Sequence, residues 1–443
     1  CEVCMFFRIK TNELVRWKAQ RTRKPLILQG ARQVGKTFLL QEFGRSHFAN
    51  VHYFNFEEDK ALASIFAPNF KVPRILDDLS LYQNKEIGVD DLIIFDEIQA
   101  APSALTSLKY FCETRPEGYV VAAGSLLGIH LSSSFPVGKV EFLDLHPLNF
   151  EEFLLALGKD GLHKKLSQQP KEVVIPTAIH DQLFKIFLTY MVVGGMPESV
   201  RSYTEKRSSS VEAFRAVRKI QNDLILSYTN DIAKHSGKLS ALNIERVWRS
   251  VGSQLSLSLD GTARKFRFKD ILSGQKSFRD LSGPIDWLKK AGIVLQVKIT
   301  NSAQIPSESF TKENRFKLLL HDVGLLGGMV GLEPASIMAW KFGTYKGYFA
   351  ENFVGQELSS LNLPLFSWEE GTAEIEFLVQ KNEYNIPLEV KSGHVVKAKS
   401  LLVYHKKYQP KQSLIISAKP SDHSNPSKLR VPLYHTSWLP KLI

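Results

Sequence analysis

Short apolar runs alternate with stretches of helical spacing over the first third of the chain. PLILQ (25–29), VHYFNF (51–56), DLIIFDEIQ (91–99), GYVVAAGS (118–125) and VEFLDL (140–145) each read as a strand. FLLQEF (38–43) has apolar residues at helical spacing, residues 61–83 do so less sharply, and a basic amphipathic segment (14–23) predicts a helix before the first strand. Strands alternating with helices predict a parallel sheet with helices on both faces. Ligands of such sheets bind at the carboxyl ends of the strands. Gly30, Asp96 and Ser125 all follow the ends of predicted strands.

Further along, the pattern changes. Residues 159–180 are polar and broken by Pro170 and Pro176, which predicts a linker or long loop. Helical spacing resumes at 181–193, GGMP breaks it, KRSSS (206–210) reads as a surface loop, and 211–232 reads as a long helix. Residues 244–255, 268–272 and 277–292 then read as three helices, with a strand at 294–299. Three helices followed by a hairpin is the order of a winged helix, whose third helix enters the major groove of DNA. The last third reads as a strand (316–320), a helix (347–361), a strand (374–379), a turn (381–385), a strand (387–391), helical stretches and a final strand (412–416). The pattern divides the chain into 1–158, 181–300 and 301–443.

The glycine-rich stretch between the first strand and its helix changes the picture most. Gly30-x-x-x-x-Gly35-Lys36-Thr37 stands where a P-loop must stand, after a strand and at a helix N-terminus. A helix N-terminus presents unpaired N–H groups and a partial positive charge to phosphate oxygens. The motif makes Gly30, Ala31, Arg32, Gln33, Val34, Gly35, Lys36, Thr37 and Phe38 the candidate ATP-binding residues. Lys36 would reach the β- and γ-phosphates and Thr37 would ligate Mg²⁺. DLIIFDE ends an apolar strand in two carboxylates, which packing alone does not favour. Asp96 is expected to hold Mg²⁺ and Glu97 to orient or deprotonate the attacking water. Ser125, after its own strand, is placed to report on the γ-phosphate.

Charge adds a partner. The chain has 443 residues and a net charge of +12, but residues 201–300 hold 19 Lys/Arg against 9 Asp/Glu while residues 1–200 hold 22 against 23. Such a basic region favours an anionic partner, DNA above others, with a protein partner as the alternative. Three cysteines (Cys1, Cys4, Cys112) make no disulfide framework, so a reducing cytoplasmic setting is expected. No signal peptide is evident, and the longest apolar runs fall short of a membrane span.

GARQVGKT, FDEIQ, GSLLG and FPVGKVEFLDLHPLNFEEF (135–153) resemble the prokaryotic AAA-type P-loop ATPases that carry a C-terminal domain of unknown function. GGMPESV (194–200) and PLEVKSG (387–393) fit the same family. The resemblance implies the P-loop topology with an additional strand, the Ser125 strand lying between the P-loop strand and the Asp96 strand. It also implies a winged helix in the middle, with Lys276, Arg279, Lys289, Lys290 and Lys298 as DNA contacts and Arg264, Lys265, Arg267 and Lys269 adding charge. Relatives of this kind often have arginine where Lys139 stands; a finger there would act on a neighbouring subunit, so self-association is open. The helix, hairpin, helix and strand of the last third resemble the PD-(D/E)xK nuclease core. In that reading Glu376 and Glu389 share a divalent metal, Glu351 approaches from the helix, and Lys391 sits over the attacking water or the scissile phosphate. Glu376 stands where active nucleases commonly have aspartate, so a degenerate, docking-only domain is the alternative. The expected fold class is α/β: a P-loop NTPase parallel sheet, a helical and winged-helix region, then a restriction-endonuclease-like α/β domain.

Overall fold

The computed structural model describes residues 6–125, 136–168, 175–255, 265–272, 274, 277–393 and 398–443. Cys1, Cys4, Arg264, Lys276 and residues 126–135 of the family motifs lie outside the described residues. Two compact units form, one from Phe7–His146 with Lys290–Gly292 and one from Pro147–Lys289 with Ile293–Ile443.

The first unit is built on five parallel strands: β1 (Leu26–Gln29), β2 (Val51–Asn55), β3 (Leu92–Asp96), β4 (Tyr119–Gly124) and β5 (Glu141–Asp144). Their order is β2-β3-β4-β1-β5, so the strand leading to Ser125 separates the P-loop strand from the Asp96 strand, as the resemblance implies. Gln29 lies level with Gly124 and Phe95 with Ala122, which brings the carboxyl ends of β1, β3 and β4 to one edge of the sheet. The first helix is α1 (Thr11–Lys18), followed by α2 (Lys36–His47), α3 (Val72–Gln83) and α4 (Pro102–Thr114). Phe54, Phe56, Phe66, Phe95 and Phe111 are buried together on one side of the sheet. Burying each such ring stabilises by about 1.5–3 kcal/mol, so β3 is fixed firmly where it carries Asp96.

The second unit departs from the expected plan. Residues 159–180 are not one loop: Asp160–Ser167 is a helix, and the next helix begins at Thr177. Residues 268–272 form a turn rather than the second helix of a winged helix. Phe266 stacks on Phe316, with ring centroids 5.8 Å apart, and Phe268 meets the same ring edge-on at 5.9 Å. Two rings at alternate positions reach one partner from an extended chain, and a helix would point them apart. The expected wing is part of something larger. β6 (Val294–Thr300) and β7 (Thr311–Leu320) belong to a seven-stranded mixed sheet with β8 (Phe366–Glu370), β9 (Ala373–Lys381), β10 (Tyr384–Lys391), β11 (Ser413–Ser417) and β12 (Lys428–Pro432). The order is β12-β11-β10-β9-β8-β6-β7, so strands on both sides of position 300 share one sheet.

Two turns of sequence organise the helices of this unit. GGMP ends the helix Thr177–Val193, and Gly195 lies so close to Leu148 that a Cβ would come within 2.0 Å of its carbonyl oxygen. Asp322 accepts hydrogen bonds there from Gly195 N–H (2.6 Å) and Leu325 N–H (2.8 Å). LNFEEF opens a helix (Phe150–Ala156) whose Asn149 and Glu152 form a capping box. Glu357, fully buried on the helix Tyr345–Ser360, accepts the Phe150 N–H at 3.1 Å and a hydrogen bond from the Ser437 hydroxyl. Among the described residues no helix is long and apolar enough to cross a membrane.

Candidate functional site

The loop from Gly30 to Gly35 folds back on itself around one ammonium group. Lys36 is 6 % exposed, and its Nζ donates to Gly30 O (3.1 Å), Ala31 O (2.8 Å) and Ser125 Oγ (2.8 Å). Burial pulls its pKa down to about 8, against the attraction of Glu97 and Asp96. Gly30 serves packing as much as ligand approach: at φ +152° a side chain would be strained, and a Cβ would lie 2.2 Å from the Leu145 carbonyl oxygen. Arg32 reaches out to Glu57 at 3.4 Å.

Across the sheet edge, Thr37 Oγ1 donates to Asp96 Oδ2 at 2.6 Å. The P-loop and the acidic strand end therefore meet at two oxygens, the pair expected from the motif. The sequence reading missed two neighbours. Tyr53 donates to the same Asp96 oxygen at 2.8 Å, and Gln99 donates to Glu97. Tyr53 could have been found from the strand pattern, because Tyr53 and Asn55 alternate with buried His52 and Phe54 on β2, beside β3. Burial and the hydrogen bond to Asp96 together push the Tyr53 phenol well above its ordinary range, so it stays a donor. Glu97 sits at φ +48°, a left-handed conformation outside the ordinary strand region that turns the chain sharply after Asp96.

In the second unit Glu376, Glu389 and Lys391 come together on adjacent strands. Leu388 pairs with Phe377 across β10 and β9, and Glu389 and Glu376 are the next residues along the two strands. Lys391 Nζ is 2.9 Å from Glu389 Oε1 and 3.7 Å from Glu376 Oε1. Glu376 Oε2 accepts the Val390 N–H at 3.1 Å. Burial pushes the Glu376 carboxyl up to about 7, with Lys391 opposing and Glu351 and Glu389 adding to the rise. Glu351 is paired instead with a residue the sequence reading passed over. Lys317, fully buried on β7, lies 2.7 Å from Glu351 Oε1 and also ion-pairs with Glu374. Burial works against its charge, but the two carboxylates more than offset that and hold its pKa above the ordinary lysine range.

The basic helix of the middle region, Phe278–Lys290, buries Leu281, Ile285 and Leu288 and exposes Arg279 and Lys290. Lys289 pairs with Asp286 at 3.4 Å, and Lys298 pairs with Glu308. Lys139 pairs with Glu113 at 3.0 Å.

Residues 22–154 match the family model of an AAA domain. Residues 184–336 and 346–434 match two domains of unknown function, DUF8612 and DUF4143. No curated protein matches the sequence. Among solved structures the chain is similar to the Walker-type ATPase PABY2304 of Pyrococcus abyssi, at 15% identity over 74% of this chain and 96% of that one, with a TM-score of 0.46. It is also similar to the ORC1 protein of Aeropyrum pernix, solved in complex with DNA (14% identity, 73% and 91% covered, TM-score 0.32). A third similar structure is the RuvB Holliday junction branch migration motor of Thermotoga maritima (12%, 66% and 89%, 0.33). Residues 22–154 thus carry an AAA domain on the parallel-sheet α/β fold of P-loop nucleotide hydrolases.

Proposed function

We propose that the protein is an ATP-binding and ATP-hydrolysing switch that engages DNA. The observation that carries this reading is the meeting of Lys36, Thr37, Asp96 and Ser125 at one sheet edge, through hydrogen bonds of 2.6–2.8 Å. Lys36 holds loop carbonyls and Ser125 in the structure described; with ATP present its ammonium turns to the β- and γ-phosphate oxygens. Its bond to Ser125 gives that hydroxyl a direct link to the phosphate it would report on. Glu97, steadied by Gln99, orients the attacking water and takes its proton.

The oxygen donors suit Mg²⁺. Thr37 Oγ1 and Asp96 Oδ2 lie together at the edge of the loop, both hard ligands, and a P-loop ion needs no larger protein cage because phosphates and waters complete its shell. Bound there, Mg²⁺ would neutralise charge developing on the phosphate oxygens. Tyr53 and Thr37 fix which Asp96 oxygen faces the loop.

The excess of 19 basic over 9 acidic residues at 201–300, with Arg279 and Lys290 exposed, supports DNA as the partner. A protein partner is the second reading. The pairing of Lys289 with Asp286 and of Lys298 with Glu308 favours it, because it leaves less positive charge for phosphates. The sparse cysteines support a cytoplasmic setting.

The nucleotide claim is tested by Lys36→Ala in a titration with a fluorescent ATP analogue. Loss of charge-assisted hydrogen bonds worth about 1.5–3 kcal/mol should weaken binding about 10- to 100-fold. Unchanged affinity would count against the P-loop as the binding element.

A further inference from the structure

The nuclease-like reading calls for a divalent ion between Glu376 and Glu389, with Glu351 nearby. The residues present do not fit one. Lys391 Nζ lies 2.9 Å from one carboxylate and 3.7 Å from the other, so an ammonium already stands between them. The second oxygen of Glu376 accepts a backbone N–H. Glu351, which would have completed the set, gives Oε1 to Lys317 at 2.7 Å. Among the described residues no three His, Cys, Asp or Glu side chains are grouped to hold a metal ion.

Burial makes these ion pairs hard to exchange. Lys317 and Glu351 are almost completely excluded from solvent, and Glu389 is 1 % exposed. An entering Mg²⁺ demands near-octahedral oxygen geometry and gives up its waters reluctantly. It would have to push aside the half-buried Lys391 ammonium, and drawing in Glu351 would also take a partner from the fully buried Lys317, which is the costly way to break such a pair. Lys317 has a further effect. It sits on β7 and pairs with Glu374 on β9, although β6 and β8 separate those strands in the sheet. Through Glu351 it also reaches the helix Tyr345–Ser360.

We infer that this cluster is a metal-free ion-pair lock, in which Lys317 and Lys391 act as internal cations in place of a divalent ion. It joins two non-adjacent strands, the β9–β10 hairpin and a buried helix, and it does not hydrolyse phosphodiesters. The inference is independent of ATP hydrolysis in the first unit.

The test uses the full chain without nucleotide, titrated with Mn²⁺ and followed by electron paramagnetic resonance of the free ion. The wild type should take up no Mn²⁺ at this cluster, seen either as no stoichiometric uptake or as uptake that Glu389→Gln leaves unchanged. Lys391→Met frees Glu376 and Glu389 and should gain a site at least about tenfold tighter than any in the wild type. Wild-type uptake that a folded Glu389→Gln variant loses would overturn the inference. Should these variants not fold, Asp96→Asn decides it: wild-type uptake that Asp96→Asn abolishes belongs to the P-loop edge and supports the lock, and uptake that survives Asp96→Asn would overturn it. Cleavage of single- or double-stranded DNA or RNA in Mn²⁺ would overturn the lock, and intact nucleic acid supports it.

Discussion

Glu357 shows how burial and a helix end set the state of a single carboxyl. It lies fully buried, accepts the first N–H of the helix Phe150–Ala156, and is pushed up to about 8 mainly by burial, with the Ser437 and Phe150 hydrogen bonds opposing. At neutral pH it is largely protonated, while in the unfolded chain it ionises near 4.5. The folded state therefore holds one more proton between those values. Its contribution to stability is fully present below about 4.5 and is lost as pH rises through about 8. Glu357→Gln keeps an oxygen acceptor for Phe150 N–H, its amide can donate to a Ser437 hydroxyl that turns to accept, and it cannot ionise. Urea unfolding at pH 5.5, 6.5 and 7.5 should show the wild type losing up to about 1.4 kcal/mol per pH unit relative to Glu357→Gln. Parallel pH profiles would mean that the carboxyl is not held protonated.

At the scale of elements, the GGMP turn is where sequence and packing meet most tightly. Gly195 N–H bonds to Asp322, Leu148 N–H bonds to Gly195 O at 2.7 Å, and Tyr190 donates to Leu148 O at 2.6 Å. A methyl group at 195 has nowhere to go, because the atom in its way is backbone. Gly195→Ala should cost about 1–3 kcal/mol, read as a lower thermal midpoint of the second unit; an unchanged midpoint would mean that the turn relaxes. The sequence signalled this turn by its glycines, and it signalled the first sheet by runs such as LIIFD that only a buried parallel strand explains. The rest of the second unit was less legible for physical reasons. Phe266 and Phe268 carry a spacing that fits a short helix or an extended chain, and only the distant Phe316 ring decides between them. Asp160–Ser167 buries Leu166 alone, so its helix leaves almost no apolar pattern to read. Lys317 looks like an ordinary strand lysine until Glu351 and Glu374, 34 and 57 positions away, are brought to it. At the candidate site the P-loop, Asp96 and Ser125 were readable because motif and strand end coincide. Gln99 was not, since it acts only through a hydrogen bond to another residue, and Tyr53 was legible only as a polar position alternating with buried His52 and Phe54 on β2.

At the scale of the whole molecule, the proposed DNA-engaging switch is tested at the basic residues of 201–300. Neutralising Arg279, Lys289 and Lys290 together should weaken duplex binding about equally across sequences and flatten its salt dependence, since each lost phosphate contact removes counterion release. Fluorescence anisotropy at several salt concentrations measures both effects, and unchanged affinity would favour a protein partner. The account turns most directly on Glu97, which follows the last residue of β3, Asp96, and accepts a hydrogen bond from Gln99. The measurement is steady-state ATP hydrolysis by wild type and Glu97→Gln in Mg²⁺, with ATP binding titrated in parallel. Glu97→Gln should bind ATP within about threefold of wild type yet hydrolyse it at least about 10²-fold more slowly, the loss expected when a general base is removed. A Glu97→Gln protein that turns over ATP at the wild-type rate would contradict the assignment of this sheet edge as the hydrolytic centre.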